Sequence, residues 1–475
     1  MPRMYGACAP GEMYKEFLEA LSEAVALGGG LLRPYVVPST NDPAFLGSVR
    51  KTDHWRNSYR TQACATESNP KWELGVMSAV LDGIRVLDLS TIVAGPAASM
   101  VLADLGADVI KVERLGDGED GRAMGPHRGP WGAYFTTLNR GKRSIALDIR
   151  QPAGREIVLR IAATCDVFLE NFRGGKASAL GLEEAVVRAR KPDIIYASLS
   201  AYGARGPDYT RPGYDAILQA RTGIMSVTGN GDEMPIRSGV SILDMGTGVW
   251  TALGVLAALL ERQRSGKGQR LDTSLFQTGV MLMSYHLLYR QFAGVNPQPQ
   301  GSRHTAFAPY GAFRAAEGAI MIGISSDKAF RRLAEALGNP QWVDDPRFRT
   351  NLDRVRNASE LDRLISEVLA RHPVSHWTAV LDRHDVACDP VQTPDQVMTD
   401  RQVAALGQLE SIQLPGQEGA LLPRLPIGFS RTPAAIQGSA PGVGQHTRAI
   451  LQEAGIADSE IEDLFRSGVC EASPA

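Results

Sequence analysis

From Leu81 onward, short apolar runs alternate with helical runs, and this alternation restricts the possible folds more than any other feature. Residues 84–89 and 108–113 have the composition of buried strands, and Gly95-Pro96 opens a helix between them. Proline is well tolerated in a first helical turn. Two strands joined through a helix run parallel, with a right-handed crossover. The sequence therefore predicts an α/β fold whose ligand site lies at the carboxyl ends of parallel strands.

The alternation divides the chain into segments with different patterns. Residues 290–309 are rich in Gly and Pro and lack periodicity, so we predict a linker there. A strand at 319–324 and the amphipathic helices after it predict a small α+β domain. The predicted organisation is a leader over 1–77, a large Rossmann-like domain over 78–289, the linker over 290–309, the small domain over 310–395, and a C-terminal part over 396–475.

The leader differs in character from the rest of the chain. Residues 12–27 have helical spacing and four glutamates, which argues against a targeting peptide. Residues 38–76 are polar and aperiodic, so we expect them to be poorly ordered. An alternative, that translation begins at Met77, stays open.

Composition narrows the classes of partner. The 50 Lys and Arg residues balance 52 Asp and Glu residues, so no overall field favours nucleic acid or an anionic membrane. The five cysteines are scattered and odd in number, which indicates free thiols in a reducing cytoplasm and no metal site. Apolar runs are shorter than a membrane-spanning segment requires. We expect a cytoplasmic protein that either acts on small molecules as an enzyme or binds them.

Basic residues near predicted strand ends are candidates for anion binding. Arg114 directly follows the strand at 108–113, and the turn NRGKRS places Lys142 and Arg143 close together. Such cations could hold the phosphates of a nucleotide-like ligand. A solvated basic loop is the alternative. The Gly-, Pro- and Tyr-rich segment 202–215 is a second candidate binding loop.

Asp244 stands just before the predicted helix 246–264. A carboxylate at that position can cap the first N–H groups of the helix. The helix N-terminus also favours the ionised carboxylate, which is the nucleophilic form. Capping and catalysis are therefore both open for Asp244.

Several long segments resemble the class III CoA-transferase family. They are LDGIRVLDLSTIVAGPAASMVLADLGADVIKVER, NRGKRSIALD, FLENFRGG, RPGYDAILQARTGIM, RSGVSILDMGTG, RQRSGKGQRLDTSLF and GVGQHTRAILQEAG. They occur in order from about Leu81 to Val469. The resemblance implies a large domain built from both chain ends, a smaller domain from the middle, and two chains interlocked as a homodimer.

The resemblance also implies the activity, which is transfer of CoA from an acyl-CoA donor such as succinyl-CoA to a free carboxylic acid. It aligns Asp244 with the family's nucleophile, which forms an aspartyl anhydride and then an aspartyl-CoA thioester. A CoA thioester is then a co-substrate, and no cofactor is permanently bound. The positions that match CoA-contacting residues are Arg114, Leu147, Asn171, Phe172 and Tyr214, while Asp215 aligns with an acidic residue of the active-site loop. Val93 and Ala179 depart from the polar or basic residues of some relatives.

Two other functions remain open. A racemase of the same superfamily needs two bases, and such relatives carry a histidine where this chain has Tyr214. A non-catalytic CoA-binding protein is the second alternative. The linker lacks the GGGG loop of formyl-CoA transferases, which favours an acid larger than formate or oxalate. We expect a dicarboxylic acid such as succinate, glutarate, mesaconate or itaconate, and an aromatic or carnitine-like acid is the open alternative. Arg205, Arg211 and Arg237 are candidate partners of a distal carboxylate, although each is equally compatible with a surface role.

Overall fold

The computed structural model describes residues 79–231 and 234–472, and these belong to one compact unit, Leu74–Ala475. The predicted leader over 1–77 lies outside the described residues. The strands are β1 (Arg85–Asp88), β2 (Asp108–Glu113), β3 (His127–Arg128), β4 (Trp131–Gly132), β5 (Arg143–Leu147), β6 (Val167–Glu170), β7 (Ile195–Ser200), β8 (Arg270–Ser274), β9 (Tyr310–Arg314), β10 (Ala319–Gly323), β11 (Cys388–Pro390), β12 (Leu409–Ile412), β13 (Ala420–Pro423) and β14 (Cys470–Glu471).

Helices separate most of the strands. They are α1 (Ala94–Asp104), α2 (Ala133–Leu138), α3 (Pro152–Ala162), α4 (Lys176–Ala179), α5 (Glu184–Arg190), α6 (Asp215–Arg221), α7 (Ile242–Ser265), α8 (Leu275–Leu282), α9 (Ser284–Ala293), α10 (Asp327–Ala336), α11 (Asn351–Arg356), α12 (Ala358–Leu369), α13 (Val374–Arg383), α14 (Pro394–Met398), α15 (Arg401–Leu406), α16 (Thr447–Glu453) and α17 (Asp458–Arg466).

A seven-stranded sheet forms the centre of the fold. Its order is β14-β5-β2-β1-β6-β7-β8, and every pair is parallel except the one between β14 and β5. The chain moves from β1 to one side through β2 and β5, then returns to β6 on the other side of β1. The loops after β1 and β6 therefore diverge and leave a crevice, where open α/β sheets bind ligands. The predicted α/β fold with a parallel-sheet core is confirmed.

Alternating residues of the strands pack on opposite faces of this sheet. Leu87, Ile110 and Phe168 belong to a core with α3, α5, α16 and α17, while their neighbours Val86 and Val109 pack with α1 and α7. Because both faces are covered, the central strands are mostly apolar, with buried charged exceptions such as Asp88 of β1 and Lys111 and Glu113 of β2. The C-terminal helices and β14 complete one side of the same sheet.

The middle of the chain has a separate apolar core. Strands β9, β10 and β11 form an antiparallel sheet, and helices α10, α12 and α13 pack against it around Phe330, Trp342 and Leu361. Helix α9 extends to Ala293, into the range predicted as a linker. In residues 294–309 the structure has only an isolated bridge between Gln300 and Asn230.

Helix α7 lies directly against α1 at their N-terminal ends. A Cβ atom added to Gly248 would lie 2.8 Å from the Ala97 Cβ and 2.9 Å from the Ala94 carbonyl oxygen, so the approach requires glycine. Helix α7 is long and apolar enough to cross a membrane by length and composition alone. Since one side of it packs on α1 and the sheet, we interpret it as a core helix.

We expect Gly248→Ala to lower the free energy of unfolding by about 1–3 kcal/mol, because the new methyl group forces α1 and α7 apart. Gly254→Ala is the matched control, since its Cβ would meet Leu271 at an ordinary 3.4 Å and alanine favours the helix. Thermal and denaturant unfolding measure both variants. Equal stability of the two variants would contradict the close helix contact.

Candidate active site

Two adjoining cavities lie at the carboxyl ends of the parallel strands. The inner cavity, about 310 Å³, is lined by Asp244 and by loops after β1, β6 and β7. The outer cavity, about 430 Å³, is lined by the ends of β1, β2 and β5. Thr91, Asp120 and Phe172 line both, so the two cavities form one continuous depression. Together they are large enough for an extended ligand.

The loop after β1 is held in a strained conformation at the edge of the inner cavity. Ile92 has φ of 73°, in the left-handed region that β-branched residues avoid. Its N–H donates to a carboxylate oxygen of Glu119 at 2.9 Å, which holds the turn in place. Such strain costs about 1–3 kcal/mol and is concentrated at functional sites.

The Asn171 side chain joins the two sides of the crevice. Its amide oxygen accepts the Thr91 N–H at 2.9 Å, and its amide nitrogen donates to the Thr91 carbonyl at 2.8 Å. A paired amide contact of this kind fixes the loop after β1 relative to the loop after β6. Asn171 therefore shapes the inner cavity through the backbone of Thr91.

Helix α1 begins at the inner cavity without a side-chain cap. Within the described part of the chain, the N–H groups of Val93, Ala94 and Gly95 donate no hydrogen bond. Gly95 permits the tight turn, since a Cβ there would lie 2.2 Å from the Ser90 Cβ. Unpaired first-turn N–H groups favour negative charge beside them.

Asp244 lies within the first turn of α7, which corrects the prediction that it precedes the helix. The helix begins at Ile242, and Ser241 is its N-cap residue. Asp244 is one turn before Gly248, so both project on the side of α7 that faces α1. The close contact at Gly248 therefore brings Asp244 beside the uncapped start of α1.

Asp215 caps α7 from outside that helix. One oxygen of its buried carboxylate accepts the Leu243 N–H at 2.7 Å and the Asp244 N–H at 3.1 Å. Its other oxygen accepts a hydrogen bond from the Gln219 amide. Asp215 thus takes the capping role that the sequence left open for Asp244.

Burial and the neighbouring Asp215 carboxylate raise the pKa of Asp244 to about 7. The Asp244 carboxylate receives no hydrogen bond and forms no ion pair with any described residue. This corrects the expectation that the helix N-terminus would favour its ionised form, because Asp215 already occupies the first-turn N–H groups. The result is a half-buried carboxyl group that ionises near neutral pH and has its oxygens free.

Comparisons with known proteins agree with this architecture. A model of CoA-transferase family III matches residues 81–447. The succinyl-CoA:glutarate CoA-transferase of Mus musculus is 36% identical over 82% of this chain and 90% of its own length. The succinate–glutarate CoA-transferase of Agrobacterium fabrum is 34% identical over 78% of this chain and 95% of its own. A crystal structure of a CAIB/BAIF family protein from Brucella suis matches with TM-score 0.74, 35% identity, and coverage of 79% of this chain and 100% of that one.

The chain belongs to CoA-transferase family III.

The structure places most of the predicted CoA-contacting residues of this CoA-transferase in the two cavities. Arg114, Leu147 and Phe172 line the outer cavity, and Asn171 and Tyr214 line the inner cavity with Asp244. Arg114 is exposed and forms an ion pair with Asp120 on the cavity wall. Asp215 lines neither cavity, because its carboxylate is consumed in capping α7.

Lys142 and Arg143 are not at this site, which corrects the prediction that their turn binds phosphates. Lys142 is fully buried and donates to Asp88, Ser99 and Asn139. Arg143 pairs with Asp108 and Glu453 at the start of β5. Arg143 lies at the amino end of the strands beside Asp108, and the Lys142 ammonium is enclosed against Asp88 and the Pro96 carbonyl oxygen, so neither side chain lines a cavity.

Residues that were not singled out in the sequence also line the transferase cavities. Lys176, at the start of α4, lines the outer cavity, and Arg173 lines the inner one. Both follow β6 in the segment FLENFRGGK, and their position after a strand end was the available signal. Of the three arginines proposed for a distal carboxylate, Arg211 lines the inner cavity, whereas Arg205 and Arg237 line neither cavity.

Neither cavity has a histidine among its described lining residues. The described residues also contain no group of three or more His, Cys, Asp or Glu side chains that could hold a metal ion. The ionisable group best placed for chemistry in the inner cavity is therefore the Asp244 carboxyl.

We expect Asp244→Asn to stabilise the transferase increasingly as pH rises from about 4 to 7. The folded-state pKa of Asp244 is raised from 3.8 to about 7, so the folded protein retains a proton that the unfolded chain releases across this window. Wild-type stability is lost there, whereas the asparagine variant has no such proton. Thermal unfolding of both proteins at successive pH values measures the difference.

Asp117→Asn, in an exposed loop, controls for the general loss of one negative charge. A stability difference between Asp244→Asn and wild type that stays constant from pH 4 to 8 would contradict the raised pKa.

Proposed function

We propose that this enzyme moves CoA from an acyl-CoA donor, such as succinyl-CoA, to a free dicarboxylic acid, with Asp244 as covalent nucleophile. The observation that carries the proposal is the Asp244 carboxyl, free of hydrogen-bond partners in the described structure and ionising near pH 7 inside a ligand-sized cavity. The names of relatives at about 35% identity support the dicarboxylate class.

In the proposed binding mode the nucleotide end of CoA lies in the outer cavity and its thioester end in the inner cavity. The outer cavity offers apolar walls at Leu147, Phe172 and Leu180 for the adenine ring. For phosphates it offers the cation Lys176, with Arg114 beside it still paired to Asp120. Lys176 has no ion-pair partner among the described residues, so its charge is available to a ligand. The pantetheine arm then passes Thr91 and Phe172 and brings the thioester to Asp244 in the inner cavity.

The proposed cycle exchanges one carboxylate for another without net proton transfer. Asp244 attacks the thioester carbonyl carbon, and the C–S bond breaks. CoA departs as the thiolate, and Asp244 and the acyl group are joined as a mixed anhydride. The thiolate attacks the Asp244 carbonyl carbon and releases the donor acid as its carboxylate, which forms an aspartyl-CoA thioester. The acceptor carboxylate attacks that carbonyl and releases thiolate, which then attacks the acceptor acyl carbon and frees Asp244. Covalent catalysis divides a difficult exchange into four simpler steps.

Each step passes through a tetrahedral oxyanion that needs hydrogen-bond donors. The N–H groups of Val93 and Ala94 line the inner cavity and have no partner in the described structure. The loop that carries them is fixed by Glu119 and Asn171, so they are preorganised for a developing negative charge. We assign these two groups as the oxyanion donors.

We expect Asp244→Asn to reduce CoA transfer by at least about 10⁴-fold, because removing the nucleophile of a covalent mechanism has effects of that order. Incubation of wild type with acyl-CoA and hydroxylamine should convert Asp244 to a hydroxamate, detected by peptide mass spectrometry. Asp117→Asn, outside both cavities, should retain full transfer and trapping. Continued turnover without any Asp244 adduct, or a hydroxamate at another residue, would rule out the proposed nucleophile.

We also propose that two chains associate. Helices α7, α8 and α9 expose a broad apolar surface, which includes Val249, Leu253, Met281, Tyr285 and Phe292. Many large apolar side chains exposed on neighbouring helices are typical of an interaction site. The family resemblance favours a homodimer of interlocked chains, in which this surface would be buried. Sedimentation should give twice the chain mass of 51.2 kDa, and a stable monomer at micromolar concentration would refute it.

A further inference from the structure

Arg173 is a cation of the inner cavity whose charge no described residue neutralises. It lies in the segment between β6 and α4 and lines the cavity together with Asp244. Its guanidinium forms no hydrogen bond, ion pair or ring contact with any described residue. An exposed cation within a substrate cavity is available to an anionic group of the ligand.

The backbone on both sides of Arg173 is held firmly. Asn171 is clamped to Thr91, and the Phe172 N–H donates to a carboxylate oxygen of Glu170 at 2.6 Å. At Gly174 the chain packs so closely that a Cβ would lie 2.3 Å from the Tyr209 carbonyl oxygen. Arg173 therefore extends from a rigid turn, which lowers the entropy cost of placing its side chain.

Arg211, the other basic residue of the inner cavity lining, is already committed. Its guanidinium pairs with Asp208 at 3.1 Å and lies over the Tyr202 ring. Asp208 also pairs with Arg221, so the three side chains form a local network. Arg211 thus has less charge to offer a substrate than Arg173.

A smaller cavity of about 140 Å³ also borders Arg173, and Glu170, Glu183 and Arg270 line it as well. The inner cavity, about 310 Å³, is more than twice as large and contains Asp244. The room for a substrate beside Arg173 is therefore on the Asp244 side.

We infer that Arg173 binds the distal carboxylate of a dicarboxylic substrate while the reacting carboxyl group lies at Asp244. This inference rests on the proposed function and names the residue that selects the substrate class. The donor acyl group and the acceptor acid both react at Asp244, one after the other. Arg173 therefore binds the distal carboxylate of each of them in turn. A charge-assisted hydrogen bond contributes about 1.5–3 kcal/mol, which corresponds to about 10- to 150-fold in selectivity.

The test compares two acceptors of equal chain length, glutarate and pentanoate, with wild type, Arg173→Gln and Arg173→Lys. In a double-displacement reaction, kcat/KM for the acceptor reports its own half-reaction, so the donor can stay the same. We expect Arg173→Gln to lower the glutarate-to-pentanoate ratio of kcat/KM at least tenfold while kcat/KM for pentanoate stays within about twofold. Arg173→Lys should restore part of the preference.

Arg205→Gln is the matched control, because Arg205 is an exposed arginine of the loop after β7 that lines neither cavity. It should keep the wild-type ratio. An unchanged ratio of kcat/KM in Arg173→Gln, or equal losses with both acids, would refute the role of Arg173 but leave the proposed function standing. Equal use of both acids by wild type would overturn the dicarboxylate class as well, and no CoA transfer to either acid would refute the proposed function itself.

Discussion

The site depends on the two hydrogen bonds from the first turn of α7 to the Asp215 carboxylate. The N–H groups of a first turn must find an acceptor, and a side chain of the helix itself usually supplies it. Here Asp215, the first residue of α6, is the acceptor, so the Asp244 side chain in the same turn does not cap the helix. Asp215 also adds a negative charge beside Asp244, and this charge and burial both oppose ionisation. Burial is the main cause of the raised pKa of Asp244, and the Asp215 contact adds to it while also leaving the Asp244 oxygens free.

The same logic applies to the crevice between β1 and β6. A parallel sheet separates the loops at this point, but separation alone leaves the walls of a site free to move. The Asn171 amide joins the two loops, and Glu119 holds Ile92 in its unfavourable conformation. These contacts involve buried or half-buried polar groups: both atoms of the Asn171 amide bond to Thr91, and one carboxylate oxygen of Glu119 accepts the Ile92 and Gly121 N–H groups. The crevice therefore keeps the unpaired N–H groups at the start of α1 and the Asp244 carboxyl in a fixed relation, as preorganised electrostatic catalysis requires.

The sequence predicted what depends on local pattern. Apolar runs and helix signals predicted the parallel sheet, position after a strand pointed to Arg114, and the family resemblance pointed to Asn171. Lys142 and Arg143 were predicted at the site from their charge and spacing, but Asp88, Asp108 and Glu453 bind these side chains elsewhere in the fold, and such tertiary pairings leave no local pattern. The capping of α7 by Asp215 could not be foreseen, since it is a contact between elements 28 residues apart and no local pattern encodes it. For the same reason, the sequence could show that Asp244 begins a helix but not that its pKa would be raised.

A nucleophile with a pKa near 7 has a consequence for the proposed cycle. Substrate carboxylic acids ionise at a pKa of about 4 to 5, as carboxyl groups in water do. In each mixed anhydride the substrate carboxylate is therefore the better leaving group, and Asp244 is the poorer one. Thiolate attack then favours the Asp244 carbonyl, so both halves of the cycle lead toward the aspartyl-CoA thioester. In the proposed cycle this intermediate must be shielded from water until the acceptor arrives. The strongest selective demand on the inner cavity is thus to exclude water around an aspartyl thioester while it still admits a charged acid.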